Sequence, residues 1–415
     1  MEVLYPSCCG VDVHKKQVVA CLLTPGTAAT PQREIKTFGT TTNELLRLVD
    51  WLRDADCTHV AMESTGVYWK PLYNLCDGLF EVIVANAQHI KAVPGRKTDV
   101  RDAEWIAELL RYGLLRPSYI PPAPQQELRE LVRYRTTLLR ERAAEVNRIQ
   151  KTLEGANIKL ASVASDVLGL SGRAMLDAIV GGEGDPVLLA DLARGKLRDK
   201  RPALEQALTG RVRPHHRFLL AEQLCHIDAL EESIERLSGE IAARLRPFER
   251  EIALLDTIPG VGRRTAEALL AEIGPDMRRF PSARHLASWA GMCPGNNESA
   301  GKRRSGKTRK GSPWLRSTLV EAAWGASHTK DTYLHAQYRR LAARRGRKKA
   351  IFALGHSILV SAYHVLTHHV PYADLGGDYF DHRQRTAVEA RLVRRLEKLG
   401  LKVTIEPLVP AVGAA

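Results

Sequence analysis

The spacing of apolar and polar positions suits strands at the start of the chain and helices later. Cys8-Cys9-Gly10-Val11-Asp12-Val13 is an apolar run holding a carboxylate, His14-Lys15-Lys16 is a polar break, and Val18 to Leu23 is apolar again. This is the pattern of two strands, within residues 7–24, around a tight turn. Glu34 to Phe38 adds a third strand. Thr41 to Leu52 predicts a helix that Thr41 or Thr42 can cap, with Leu45, Leu46, Leu48, Val49 and Leu52 on its apolar face. His59 to Met62 is a short buried strand ending at Glu63, Tyr68 to Cys76 is helical, Phe80 to Val84 is a strand, and Asp99 to Leu115 is a helix. Three strands followed by alternating helix and strand predict an α/β sheet with a mixed edge.

Four prolines between Pro117 and Pro124 mark a linker. Two long amphipathic helices follow, one with Leu128, Leu131, Val132, Leu138, Leu139, Val146, Ile149 and Leu153 on a stripe, the other with Leu220, Leu224, Ile227, Ile234, Leu237, Ile241 and Leu245. A region broken by Gly, Asp and Pro, 169–214, separates them. They can pack as a hairpin or pair between subunits as a coiled coil. Arg135 and Arg142 interrupt the first stripe and leave room for contact with nucleic acid. The composition changes at 252, and the chain ends in a basic helix with Val388, Leu392, Leu396 and Leu399 on one face, then a strand-like Lys402 to Ile405. The organisation expected is α/β then all-α: domains at 1–120, 121–250 and 251–370, and a tail at 371–415.

The formal charge, +14, comes from 61 Lys plus Arg against 47 Asp plus Glu. A surplus of this size favours a polyanionic partner, most commonly nucleic acid. Seven scattered cysteines include no C-x-x-C pair, which argues against a zinc finger or a disulfide framework and fits a reducing cytosol. The N-terminus has no basic n-region of a signal peptide. Ala350 to Leu366, the most apolar late stretch, contains His356, Ser357 and His364 and reads as a packed helix and not a membrane span.

The acidic residues are where chemistry first shows. Asp12 sits inside an apolar strand, where an unpaired carboxylate is costly, and Glu63 ends another. Asp99 and Asp102, three apart, share a helix face; either alone would serve equally as a favourable charge at the helix N-terminus. Together the four can meet at one sheet edge if the two strands are neighbours. Hard oxygen ligands of this kind bind Mg²⁺ or Mn²⁺.

Farther on, Pro259-Gly260-Val261-Gly262 between two helical segments has the form of a helix-hairpin-helix turn, where Gly260, Gly262 and Arg263 approach a phosphate. Gly295 to Lys307 is polar, Gly-rich and basic, and a serine there can act as a nucleophile at phosphorus if activated. Lys302, Arg303, Arg304, Lys307, Arg309 and Lys310 form one basic cluster, and Arg339 to Lys349, with Arg344, Arg345, Arg347 and Lys348, another. Neither contains an acidic residue, and Trp314, Tyr333 and Tyr338 lie near them, so contact with a phosphate backbone is expected.

Three segments carry a family resemblance: Gly10-Val11-Asp12-Val13-His14-Lys15, Met62-Glu63-Ser64-Thr65-Gly66-Val67-Tyr68-Trp69 and Lys97-Thr98-Asp99-Val100-Arg101-Asp102-Ala103. They resemble the DEDD, Piv-type transposases, the recombinases of insertion-sequence family one-ten, and the resemblance extends over essentially the whole chain. It implies a RuvC-like (ribonuclease-H-like) N-terminal domain with Asp12, Glu63, Asp99 and Asp102 as the metal tetrad. A helical coiled-coil insert and a C-terminal transposase domain would follow. The family's second block carries a catalytic serine, and Ser299 matches it position by position. Ala300 stands where a glycine is more familiar, which leaves Ser305-Gly306 as a rival. The resemblance also implies an element-encoded guide RNA.

The function expected is thus a DNA transposase or site-specific recombinase with Mg²⁺ or Mn²⁺ on the tetrad, working as a homodimer or homotetramer in the bacterial cytoplasm near the nucleoid, with no membrane partner. The rivals are a RuvC-like structure-specific nuclease using water, a sugar-kinase-like or actin-like ATP-binding protein, for which no second Gly-rich phosphate motif is present, and a non-catalytic nucleic-acid binder, which leaves four placed carboxylates unexplained.

Overall fold

The computed structural model describes residues 2–26, 30–64, 66–86, 101–295, 297–299, 301–306, 308 and 311–405, with backbone alone at 101, 297–299 and 303–305. The chain divides into two compact units, Met1–Pro121 and Pro122–Ala415.

The first unit is built on β1 (Cys8–Val13), β2 (Gln17–Thr24), β3 (Gln32–Gly39), β4 (His59–Glu63) and β5 (Glu81–Ala85). Their order is β3-β2-β1-β4-β5. The first three pair antiparallel, and β4 and β5 add in parallel on the far side of β1. This is a mixed sheet compatible with the RuvC-like expectation. The β1–β2 turn is tight because the His14 N–H donates to the Gln17 carbonyl at 2.9 Å. β3 is longer than the expected Glu34–Phe38, since its pairing with β2 continues from Gln17↔Gly39 to Thr24↔Gln32.

Strand alternation sends successive residues of β1 to opposite faces. Cys9 and Val11 join the core that Leu45, Leu48, Val49 and Leu52 of α1 (Thr42–Asp54) and Leu72 and Cys76 of α2 (Trp69–Cys76) build on one face. Cys8 shares the other face with Cys21, Leu23, Ala61 and α3 (Arg101–Arg111), which contributes Ala103, Ile106, Ala107 and Leu110. Gly10 lies on this second face. A Cβ there would stand 2.2 Å from the Ala107 amide nitrogen and 2.3 Å from the Ala103 carbonyl oxygen. Only glycine lets the α3 backbone come so close to β1. On its outer side α3 is tied to β3, where Arg33 reaches Glu104 at 3.2 Å and Glu108 at 2.7 Å. The helix stops short of the expected Leu115 because Gly113 turns left-handed at φ +66° and the Leu114 N–H closes back on the Leu109 carbonyl at 2.9 Å.

The second unit begins with α4 (Ala123–Gly155), followed by α5 (Leu160–Val163), α6 (Leu170–Val180), α7 (Pro186–Asp191), α8 (Arg201–Leu208) and α9 (Pro214–Leu245). α4 and α9 pack on each other as an antiparallel hairpin within one chain. Leu128 and Val132 share a core with Ile241 and Leu245, Leu138 meets Leu230 and Ile234 midway, and Ile149 and Leu153 meet Leu220 and Leu224. The short helices α5 to α8 fold onto that last end and share its core.

The first end of the hairpin belongs to the core of the C-terminal helices. These are α10 (Glu249–Asp256), α11 (Arg263–Ile273), α12 (Ala283–Trp289), α13 (Pro313–His328), α14 (Tyr333–Arg345) and α15 (Arg347–His368). α15 is long and apolar enough to cross a membrane by composition, yet Ile351, Leu354, Ile358, Leu359 and Val365 are buried in this core. The tail carries α16 (Tyr379–Arg383) and α17 (Arg385–Glu397), neither with a buried residue. Lys402–Ile405 is not a strand: no partner strand is present among the described residues to complete its hydrogen bonds.

A Gly10→Val variant is expected to force α3 off the sheet. Thermal unfolding should fall by an amount equivalent to about 1–3 kcal/mol or more, and limited proteolysis should cut the first unit first; an unchanged melting curve would show that α3 does not need the close approach.

Candidate active site and nucleic-acid interface

β1 and β4 are neighbours in register through Val11↔Met62, which places Asp12 and Glu63 side by side at the same strand ends, on the α3 face. Asp102 lies in the first turn of α3. Asp12 is mostly buried, and His14 Nε2 sits 2.9 Å from its Oδ2. Burial pushes the Asp12 carboxyl above the ordinary range, His14 opposes this, and the charges of Asp102 and Glu63 add to the push. The charges of two of the other expected carboxylates, Asp102 and Glu63, therefore reach Asp12. Asp99 lies outside the described residues. Among the described residues no group of three or more His, Cys, Asp or Glu is gathered closely enough to hold a metal ion.

Ser299 ends β6 (Asn297–Ser299), which pairs antiparallel with β7 (Lys302–Ser305) in a two-stranded ribbon. Ser299 stands opposite Lys302 at the turn, where Gly301 has φ +72°, and Ser305 stands opposite Asn297 at the open end. The two rival serines thus occupy opposite ends of the ribbon. Both stems of the loop are pinned. A Cβ on Gly311 would stand 2.2 Å from the Ala290 carbonyl oxygen, so the exit of the loop lies against its entry. Ser312 caps α13 by accepting the Leu315 N–H at 3.3 Å, and its hydroxyl donates to Glu272 at 3.1 Å.

Glu272 belongs to a set of charges that sequence reasoning passed over. It is buried on α11 and takes a two-pronged bond from Arg133 of α4 at 2.7 and 2.9 Å. Arg129 Nε donates to the Ala271 carbonyl at 3.0 Å, favourable for a cation at a helix C-terminus. One turn back on α11, Glu267 pairs with Arg135 at 2.7 Å, both side chains being about 95% buried (4% and 5% exposed). The expectation that Arg135 leaves room for contact with nucleic acid is therefore corrected. Arg135 is inside, where only a carboxylate partner makes its burial tolerable, and Arg142 is engaged by Glu231 at 2.8 Å. The signal was available: Glu267 and Glu272 are carboxylates in an otherwise apolar helical run, the feature that singled out Asp12.

Gly260 and Gly262 lie in the turn between α10 and α11, and they do different things. Gly260 is left-handed at φ +83°, and a Cβ there would strike the Ala322 carbonyl oxygen of α13 at 2.2 Å. Nothing lies within 4 Å of a Cβ on Gly262, which opens α11 without a side-chain cap. Arg263 is held by Glu249 at 2.6 Å and Glu267 at 3.2 Å. Lys302, Arg344, Arg345, Arg347 and Lys348 are exposed. The side chains of Arg303 and Arg304, and all of Lys307, Arg309 and Lys310, lie outside what the structure describes.

Residues 9–158 match the profile of a family described as a transposase, and residues 252–339 match that of the transposase IS116/IS110/IS902 family. The chain belongs to this transposase family. It is an enzyme, a DNA transposase, and its substrate is DNA. It is 29% identical over 278 residues to the probable family 20 transposase of Pseudomonas aeruginosa, covering 66% of this chain and 72% of that protein. The transposase for insertion sequence element IS1111A of Coxiella burnetii is 26% identical over 294 residues, 69% of this chain and 71% of the relative. The pilin gene-inverting protein of Moraxella lacunata is 23% identical over 377 residues, 88% of this chain and 96% of the relative. In this transposase the first matched segment includes the carboxylates, and the second includes the Gly260 turn and the ribbon with Ser299.

Arg135→Ala should destabilise the transposase by about 3–5 kcal/mol, because Glu267 is left buried opposite an empty space. The double change Arg135→Met with Glu267→Leu should recover most of that in urea unfolding; a double variant no more stable than Arg135→Ala would mean the pair is needed for more than neutralising charge.

Proposed function

We propose that this transposase cuts and rejoins DNA through a covalent phosphoserine link, with Ser299 as nucleophile and Asp12, Glu63, Asp99 and Asp102 as the ligands of Mg²⁺ or Mn²⁺. The observation that carries the reading is the placement of Asp12 and Glu63 at adjacent strand ends, each one residue past the paired Val11 and Met62, with the charge of Asp102 adding to the push that burial gives the Asp12 carboxyl. An all-oxygen, multiply charged donor set suits a hard divalent cation, which removes the mutual repulsion that otherwise favours protonation. When bound, such a metal stabilises charge developing on the oxygens of a phosphodiester.

The chain's own part begins at the ribbon. The Ser299 hydroxyl attacks phosphorus as its proton leaves, the Oγ–P bond forms, and the P–O bond to one strand breaks, with that strand departing as a hydroxyl. A hydroxyl of the partner DNA then attacks the phosphoserine, forms the new P–O bond and frees Ser299. No external energy is needed, since each bond broken is replaced by one of the same kind. Lys302, opposite Ser299 in the ribbon, supports the reading as a cation that favours the ionised hydroxyl. Lys302, Arg303, Arg304, Lys307, Arg309 and Lys310, with Arg344, Arg345, Arg347 and Lys348, hold the phosphate backbone. Gly262 contributes backbone amides at the start of α11, a helix-hairpin-helix role in which Gly260 is the packing residue. Strand exchange requires several active sites, hence a homodimer or homotetramer. A structured guide RNA is the proposed source of sequence choice, with the basic surface as its support.

Ser299→Ala should abolish both recombination and the protein–DNA adduct seen on a denaturing gel with labelled donor DNA. Asp12→Asn should abolish cleavage while leaving DNA affinity within about two-fold, since binding rests on the basic residues. Adduct from Ser299→Ala but not from Ser305→Ala would move the nucleophile to the other end of the ribbon. Cleavage by the unmodified protein with no adduct would favour a nuclease using water.

A further inference from the structure

Of the six tryptophans in the chain, Trp324 on α13 is the most exposed, at 43%, and the other five are more deeply covered. It lies on a stripe of α13 with Ser317, Glu321 and His328, spaced four, three and four residues apart and so on one helix face. This stripe faces away from the packing of α13 on the Gly260 turn, which involves Ala322 and Ala326. The indole has aromatic neighbours: His328 is stacked on the same helix at 6.3 Å and 28°, and Tyr338 of α14 tilts toward it at 6.4 Å. Tyr338 is itself packed against the C-terminal core, so the part-exposed indole has a fixed side chain beside it.

Tyr338 also opens a basic stretch. Arg339, Arg344, Arg345, Arg347, Lys348 and Lys349 are exposed, whereas Arg340 is taken up by Gln384 and Phe380. No Asp or Glu occurs from 332 to 373. Glu321, one turn before Trp324 on the stripe, lies within reach of Ser317 at 3.4 Å. The exposed cations that follow Tyr338 on α14 thus offer the phosphates of a polyanion a track that begins beside the indole.

We propose that Trp324, backed by Tyr338 and His328, is a stacking platform for an unpaired base of a single-stranded nucleic acid whose phosphates follow residues 339–349. A stacked aromatic beside a basic track binds single strands because every base has a π-face, whereas a duplex keeps its bases stacked on one another. The inference rests on the transposase acting on nucleic acid and not on the serine mechanism. The shared chemistry is a base with its phosphate, and deoxy and ribo strands are separated by the test.

The experiment measures binding of the full chain to labelled single-stranded deoxy and ribo oligonucleotides and to a blunt DNA duplex, at one salt concentration. Trp324→Ala and Trp324→Leu should weaken single-strand binding about ten-fold and leave duplex binding within about two-fold, while Trp324→Phe keeps most of the affinity. Trp324→Leu preserves apolar bulk, so its loss reports stacking and not packing, and matched melting curves exclude misfolding. The arm with the larger loss, deoxy or ribo, names the strand. Equal loss on single strand and duplex, no loss on either single strand, or a changed oligomeric state of the free variant with strand affinity intact would overturn the proposal, the last by making this face a contact between copies of the chain.

Discussion

The approach of α3 to β1 at Gly10 is the constraint on which the N-terminal unit depends. Ordinary side chains hold a helix off the sheet it covers, but here its backbone at Ala103 and Ala107 fills the space of the missing side chain of Gly10. Small residues continue the seam, with Ala61 on β4 and Ala103 and Ala107 on the helix, all fully buried. The consequence is chemical. Asp12 is two residues beyond Gly10 on the same strand face, and Asp102 precedes Ala103. The contact that excludes a Cβ therefore also brings Asp102 toward Asp12, whose carboxyl is raised chiefly by burial and further by the charge of Asp102.

The second unit solves a related problem with the opposite charge balance. α11 must be buried to close the C-terminal core, yet it carries Glu267 and Glu272. Arg135 and Arg133 of α4 answer them, and Arg129 covers the carbonyls at the helix end. Such pairs add little net stability over apolar residues of the same shape but cannot be broken singly without penalty. They tie the base of the α4–α9 hairpin to α11, and through Ser312 Glu272 reaches the exit stem of the loop that carries the Ser299 ribbon.

Much of the fold was legible in the sequence where periodicity is local. The β1–β2 hairpin, α1, β4 and the two long helices follow from patterns within a few turns of chain. That α4 and α9 pair within one chain was not legible, since an amphipathic stripe is equally suited to a partner copy. The reading of Arg135 failed because a charged residue on an apolar stripe reads as exposed unless its partner, here 132 residues away in Glu267, is known. At the site, Asp12 could be singled out because a carboxylate inside an apolar strand demands a reason. Gly10 could not, because a glycine in a strand does not announce which helix will lie on it. The different duties of Gly260, packed on α13, and Gly262, open, were likewise invisible in a Pro-Gly-x-Gly string.

The most direct test of a carboxylate site assembled by the Gly10 seam is Mn²⁺ binding to the full chain, followed by electron paramagnetic resonance. Asp12→Asn, Glu63→Gln and Asp102→Asn, each isosteric, should each weaken Mn²⁺ binding by about ten-fold or more, while Glu104→Gln, on the same helix but paired with Arg33, should leave it unchanged. Mn²⁺ affinity that survives Asp12→Asn and Asp102→Asn intact would contradict a metal site at this end of the sheet.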